Sequence, residues 1–170
     1  IFGALSWAHA LLQAFKARQR GETSPVQLWP HHFDLALLWL TGRHLAGVDP
    51  ADEETADEQM NFGFTFGAAD ERPYFYVTRY PGTAEFPGVD LPAFASQHAA
   101  GWTGVRVDYD SLREESDPFD RLLALFEQLL RRRRELVLEA GGLALLLDLG
   151  LQRQDALHHG PLPAEEMNWV

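Results

Sequence analysis

Three short stretches of the chain alternate with a period of two. Met60–Phe66 sets Phe62, Phe64 and Phe66 against Asn61, Gly63 and Thr65. Tyr74–Tyr80 sets Tyr74, Tyr76, Thr78 and Tyr80 against Phe75, Val77 and Arg79, and Trp102–Tyr109 sets Val105, Val107 and Tyr109 against Trp102, Gly104, Arg106 and Asp108. Successive side chains of a strand point to opposite faces, so this pattern commits the chain to a sheet with one apolar face and one polar, aromatic face. The polar turn at Gly67–Pro73 joins the first two runs, which predicts an antiparallel hairpin. Gly63 sits inside a strand and marks a place where another group comes close to the backbone.

The stretch Ser24–Gly42 reads differently. From Val26 to Trp39 nearly every position is apolar on both alternating faces, as in a strand covered on two sides; a buried helix over Phe33–Leu40 fits the same run. Pro30 lacks an N–H for a sheet ladder and marks an edge, a bulge or a break between two shorter pieces. Within the run stands one acid, Asp34. Read as one strand, Val26–Leu40 puts His32 on the face of Asp34 and His31 on the other.

Two helices complete the pattern. Leu5, Ala8, Leu12 and Phe15 recur at helical spacing in Leu5–Arg18, and Gly21 is a stop signal. Asp117-Pro118 opens the second helix, whose stripe runs from Phe119 through Leu122, Leu123, Phe126, Leu129 and Leu130 to Val137 before Gly141-Gly142 ends it. The acidic stretch 43–59 and the Pro- and Gly-rich stretch Pro81–Gly101 read as loops. The expectation is therefore an α+β fold: an antiparallel sheet of about four strands (Val26–Leu40, Met60–Phe66, Tyr74–Tyr80, Trp102–Tyr109) packed against helices Leu5–Arg18 and Pro118–Leu138. Residues 1–138 form one domain and 139–170 an extension whose tail, from Gln152, is loosely ordered.

Composition removes several functions. Among 170 residues there are 14 basic and 25 acidic ones, a formal net charge of −11. That balance opposes binding to nucleic acid and to anionic membrane surfaces. The most apolar stretch, Leu136–Leu151, is short and charged for a membrane span, which needs ~20 apolar residues. No cysteine is present, which excludes disulfides, thiolate catalysis and cysteine-ligated zinc, and fits a cytoplasmic protein. A chain that begins at Ile1 reads as an excerpt or a processed product. No phosphate loop, nucleophile elbow or zinc-protease motif occurs, and no cofactor is expected.

Asp34 is then the residue that needs a reason. If buried, it must be hydrogen-bonded, paired or protonated; Arg79 and Arg106 are the sequence's best partners for it. His32 with Asp34 is the candidate acid/base pair. A metal site needs three or more protein ligands and the sequence supplies no such set, so none is expected. Trp29, Asn61, Phe62, Gly63, Tyr74, Tyr76 and Trp102 are the candidate ligand-binding residues, as aromatic walls and a polar strand face open to a small molecule.

The motifs SPVQLWPHHFDLA, MNFGF, PYFYVT and GWTG, in that order and spacing, resemble an uncharacterised, mainly bacterial family of domains of unknown function, over roughly Trp7 to Leu130. The resemblance carries over to Ser24, Pro25, Phe33, Asp34, Asn61, Phe62, Gly63, Tyr74, Phe75, Tyr76 and Trp102. It implies that this chain corresponds to the C-terminal half of a longer architecture, and it implies no reaction. Three functions compete: a non-catalytic small-molecule-binding or structural domain, an enzyme using Asp34 with His32, and an interaction subunit or homodimer formed through the aromatic sheet face.

Overall fold

The computed structural model describes residues 2–52, 55–68, 71–82 and 86–158, with side chains described as far as 138. Ile1–Arg132 is one compact unit, and the chain from Arg133 onward is a second. The elements in order are α1 (Phe2–Ala17), β1 (Gln27–Trp29), β2 (Asp34–His44), β3 (Asp57–Thr65), β4 (Tyr74–Tyr80), β5 (Ala95–His98), β6 (Gly104–Asp108), α2 (Tyr109–Arg113) and α3 (Pro118–His158). The sheet has the order β1-β2-β3-β4-β6-β5, and every neighbouring pair is antiparallel.

The α+β class and the hairpin of β3 and β4 agree with the sequence pattern, but the sheet has six strands rather than four and the described chain three helices rather than two. The largest correction falls on Val26–Leu40. It is not one strand: it turns over at Pro30–Phe33, and β1 folds back on β2 with Trp29 opposite Asp34. Proline suits a turn because its fixed φ is already in place. Phe33 closes the turn at φ 49°, a left-handed conformation rare for a residue with a side chain.

β2 and β3 also run further than alternation indicated, through His44 and from Asp57, so part of the acidic stretch is strand. β5 lies inside the stretch read as loop. Its sequence, Ala-Ser-Gln-His, is short and polar, and it is strand only because β6 offers a free edge. In α3 the helical backbone continues through Gly141-Gly142 to His158, correcting the glycine stop and, over residues 152–158, the loosely ordered tail. Each glycine disfavours helix by ~1 kcal/mol, which good helix formers on either side outweigh. The final residues 159–170, singled out for their loose composition, lie outside the described residues.

Packing follows from the alternation. Leu35, Leu37, Met60, Phe62, Phe64, Phe75, Val77, Val105 and Val107 form one face of the sheet, and Ala8, Leu11, Leu12 and Phe15 of α1 and Leu122, Phe126 and Leu129 of α3 pack with them in a single core cluster. At its centre the rings of Phe15, Phe62 and Phe126 meet at centroid distances of 4.5 to 5.5 Å. Trp7 closes one end, edge-on to Phe75 and Phe119.

Phe62 is wholly buried between two helices, so Phe62→Ala should lower stability by ~3–5 kcal/mol. The same truncation at the exposed Leu138 should change it by less than about 0.5 kcal/mol. Urea denaturation followed by circular dichroism measures both.

Candidate functional site

The opposite face of the sheet is set by the same alternation. β1 contributes Trp29, β2 Asp34 and Ala36, β3 Asn61, Gly63 and Thr65, β4 Tyr74 and Tyr76, and β6 Gly104 and Arg106. Six of the seven residues expected to bind a ligand, Trp29, Asn61, Gly63, Tyr74, Tyr76 and Trp102, belong to this face or lie against it. Phe62 does not: alternation turns it into the core.

Asp34 is the most deeply placed of the polar residues here, with 6% of its surface exposed. Its register is held by the segment before β1. The Ser24 hydroxyl accepts from the Leu38 N–H at 2.9 Å, and the Ser24 N–H donates to the Leu38 carbonyl at 3.0 Å. Ser24 therefore clamps the middle of β2, and the turn at Pro30–Phe33 then sets its first residue opposite Trp29.

The Tyr76 hydroxyl donates a hydrogen bond to Asp34 Oδ2. The two residues are on different strands with β3 between them, and the strand position crossed is Gly63, directly paired with Tyr76 on one side and Ala36 on the other. A Cβ on Gly63 would run into the Tyr76 ring at Cζ, Cε1 and the hydroxyl. The glycine is what lets the ring lie flat across β3 and reach β2. Asn61 shares this face one strand over, between β2 and β4.

Burial first, and then the bond to Asp34, pushes the Tyr76 phenol well above its ordinary value. Tyr76 therefore stays a neutral donor beyond the ordinary tyrosine range, and Asp34 Oδ2 accepts its hydrogen bond. On this face three polar atoms are buried with no hydrogen-bond partner: Asp34 Oδ1, Asn61 Oδ1 and Trp29 Nε1. No cation pairs with Asp34 among the described residues.

The arginines expected to pair with Asp34 are elsewhere. Arg79 alternates to the core side, with its guanidinium 6.0 Å from the Phe86 ring centroid. Arg106 shares the face of Asp34 but pairs with Glu71 at 3.3 Å and lies 3.7 Å over the Tyr74 ring. Around it Trp102 stacks parallel to Tyr74 at 6.0 Å, stands edge-on to Tyr76 at 6.1 Å and meets His98 at 4.1 Å. The Tyr74 phenol is raised chiefly by burial and secondly by Glu71. The Ala68 N–H, ahead of Arg106, holds the Glu71 carboxyl below its usual value.

His32 is not on a strand. It is exposed on the turn, and no hydrogen bond or ion pair joins it to Asp34. The alternation argument that placed the two on one face fails because the chain reverses between Trp29 and Asp34. Arg106 as a member of this face was legible from its alternation with Trp102 and Gly104. His98 was not, because the stretch around it has no period. Among the described residues no group of three or more His, Cys, Asp or Glu is placed to hold a metal ion, and no helix is long and apolar enough to cross a membrane.

The site is thus a buried carboxylate on an aromatic sheet face, in an α+β domain with both described helical layers on the other side. Residues 1–135 match the model of a family of unknown function (DUF5996), and the chain belongs to that family. No curated protein and no solved structure matches it.

Two substitutions probe the geometry. Gly63→Ala should destabilise the fold by ~1–3 kcal/mol through overpacking against Tyr76, and the penalty should shrink in a Tyr76→Ala background; additive costs in a double-mutant cycle would show that the ring does not rest on Gly63. Tyr76→Phe leaves Asp34 Oδ2 without its donor and should cost ~1–3 kcal/mol at pH 8. The raised phenol also has a pH signature. The unfolded chain releases this proton near 10, before the folded one, so the stability it contributes is complete below that value and is lost as pH climbs toward the folded value. Unfolding curves from pH 8 to 11 should therefore fall more steeply above pH ~10 for the native protein than for Tyr76→Phe, by up to about 1.4 kcal/mol per pH unit.

Proposed function

We propose that this domain is a non-catalytic binding domain for a small molecule, with its site on the aromatic face of the sheet around Asp34. The observation that carries this reading is the incomplete satisfaction of one buried polar group. Tyr76 takes one carboxylate oxygen, while the other, together with Asn61 Oδ1 and Trp29 Nε1, is buried and unpartnered. A buried polar atom without a partner costs ~1–3 kcal/mol, and a fold needing only stability would do as well with an apolar side chain at position 34. Unsatisfied donors and acceptors that share one sheet face are the complement of a ligand.

The neighbouring side chains support binding ahead of chemistry. Tyr76 is locked as a neutral donor and is no proton shuttle near neutral pH. His32, the other half of the acid/base pair, projects from a turn rather than into the face. What remains on the face is an acceptor pair, an indole donor and aromatic surface, which fix and orient a molecule.

Ligand-observed and protein-observed NMR test the reading. The protein is titrated with a library of small polar compounds, and the indole N–H of Trp29 and the side-chain amide of Asn61 are followed. A binder is expected to shift both signals and to raise the melting temperature, by several degrees at saturating concentration. A library of several hundred compounds that moves neither signal would remove the binding reading.

A further inference from the structure

The geometry points to the chemical class of that ligand: we infer that the site takes a small organic cation carrying N–H donors, held by Asp34 Oδ1 and Asn61 Oδ1. The inference rests on the binding reading above and adds the sign of the ligand's charge. Asp34 is buried, and its Tyr76 partner is a neutral donor that supplies no charge. The two arginines nearest in the alternation pattern are committed elsewhere, Arg106 to Glu71 and Tyr74, and Arg79 on the core side beside Phe86.

A carboxylate in a poorly solvated place calls for a positive partner, because the same low polarity that makes its burial costly strengthens its attraction to a cation. Two unpartnered acceptor oxygens, Asp34 Oδ1 and Asn61 Oδ1, call for two donors, which an ammonium or guanidinium group supplies and an anion does not. Trp29 and Tyr76 add aromatic rings, whose faces attract cations. The unpartnered Trp29 N–H fits an acceptor atom beside the cationic group, such as a hydroxyl.

Entry runs past Trp29. It is the cross-strand neighbour of Asp34 and stands on the outermost strand, which is only three residues long. Of the side chains around the carboxylate, it is the one whose displacement disturbs least of the sheet.

Cations and their neutral counterparts of nearly equal shape decide the matter. Methylguanidinium is titrated against methylurea, and ethanolammonium against ethylene glycol, following the Trp29 indole and Asn61 amide signals. The cations should bind at least tenfold more tightly than their counterparts. Asp34→Asn keeps an acceptor for Tyr76 but removes the charge, and should weaken the cations at least tenfold. Equal affinity for charged and neutral members of each pair would overturn the cation assignment and leave the binding site standing. Absence of any shift at Trp29 and Asn61 with all four compounds would overturn the cation assignment; whether the site binds anything is then decided separately by the broader library. The wild-type comparison stands alone if Asp34→Asn fails to fold.

Discussion

The hydrogen bond from Tyr76 to Asp34 ties three strands together through side chains rather than backbone. Neighbouring strands lie about 4.8 Å apart, so a group on β4 that bonds one on β2 must bridge about twice that distance. Tyrosine is long enough only if its ring lies along the sheet surface, and that posture is open only where the strand between has no side chain. Gly63 supplies the gap. Asp34, Gly63 and Tyr76 thus form one unit spread over three separate motifs, and each has its identity fixed by the other two. The chain's clamps work toward the same end: Ser24 fixes the register of β2, and the turn at Pro30–Phe33 brings Trp29 beside the acid.

The two faces of the sheet solve different problems. On the core face, aromatic and aliphatic side chains interlock with α1 and α3, and the contact of Phe15, Phe62 and Phe126 joins both helices to β3. No side chain of that three-ring contact carries a polar atom. On the second face most side chains have a polar end, and two are paired: Tyr76 with Asp34 and Arg106 with Glu71. Beside those pairs, Asp34, Asn61 and Trp29 each keep a buried polar atom with no partner. Violations of polar satisfaction that a fold tolerates in one place, while obeying the rule all round it, are characteristic of sites with a function.

Much of this was legible in the sequence, for a reason that also explains what was not. A period of two assigns residues to faces without reference to distant partners, so the β3–β4 hairpin, the core face and the membership of Asn61, Gly63, Tyr74, Tyr76 and Trp102 in the other face follow from local pattern alone. The same pattern assigned Phe62 to the opposite face from Asn61 and Gly63, which makes its inclusion among the binding residues an inconsistency of reading rather than of signal. The run Val26–Leu40 failed because continuous hydrophobicity carries no period. A strand, a hairpin and a helix all satisfy it, and only the turn-forming Pro30 marked the reversal that separates His32 from Asp34. β5 was invisible because its edge position is a property of β6. The partner of Asp34 was missed for a chemical reason: charge complementarity favoured an arginine, whereas a tyrosine two strands away becomes available only once Gly63 is seen as a passage and not merely as a weak point in a strand.

The choice of tyrosine over arginine at Asp34 bears on what the site can hold. An arginine would neutralise the carboxylate permanently and close it to other cations. A phenol, kept neutral by burial and by the acid itself, orients the carboxylate without consuming its charge. The arginine that shares the face is held away from Asp34 by Glu71 and the Tyr74 ring, so the positive charge nearest in the pattern is already balanced. The protein as a whole carries a formal charge of −11, and a field of that sign raises the local concentration of small cations around the domain. Local structure and overall charge act in the same direction: the one leaves a buried carboxylate oxygen without a hydrogen-bond partner, and the other supplies the long-range attraction that the proposed cation would follow.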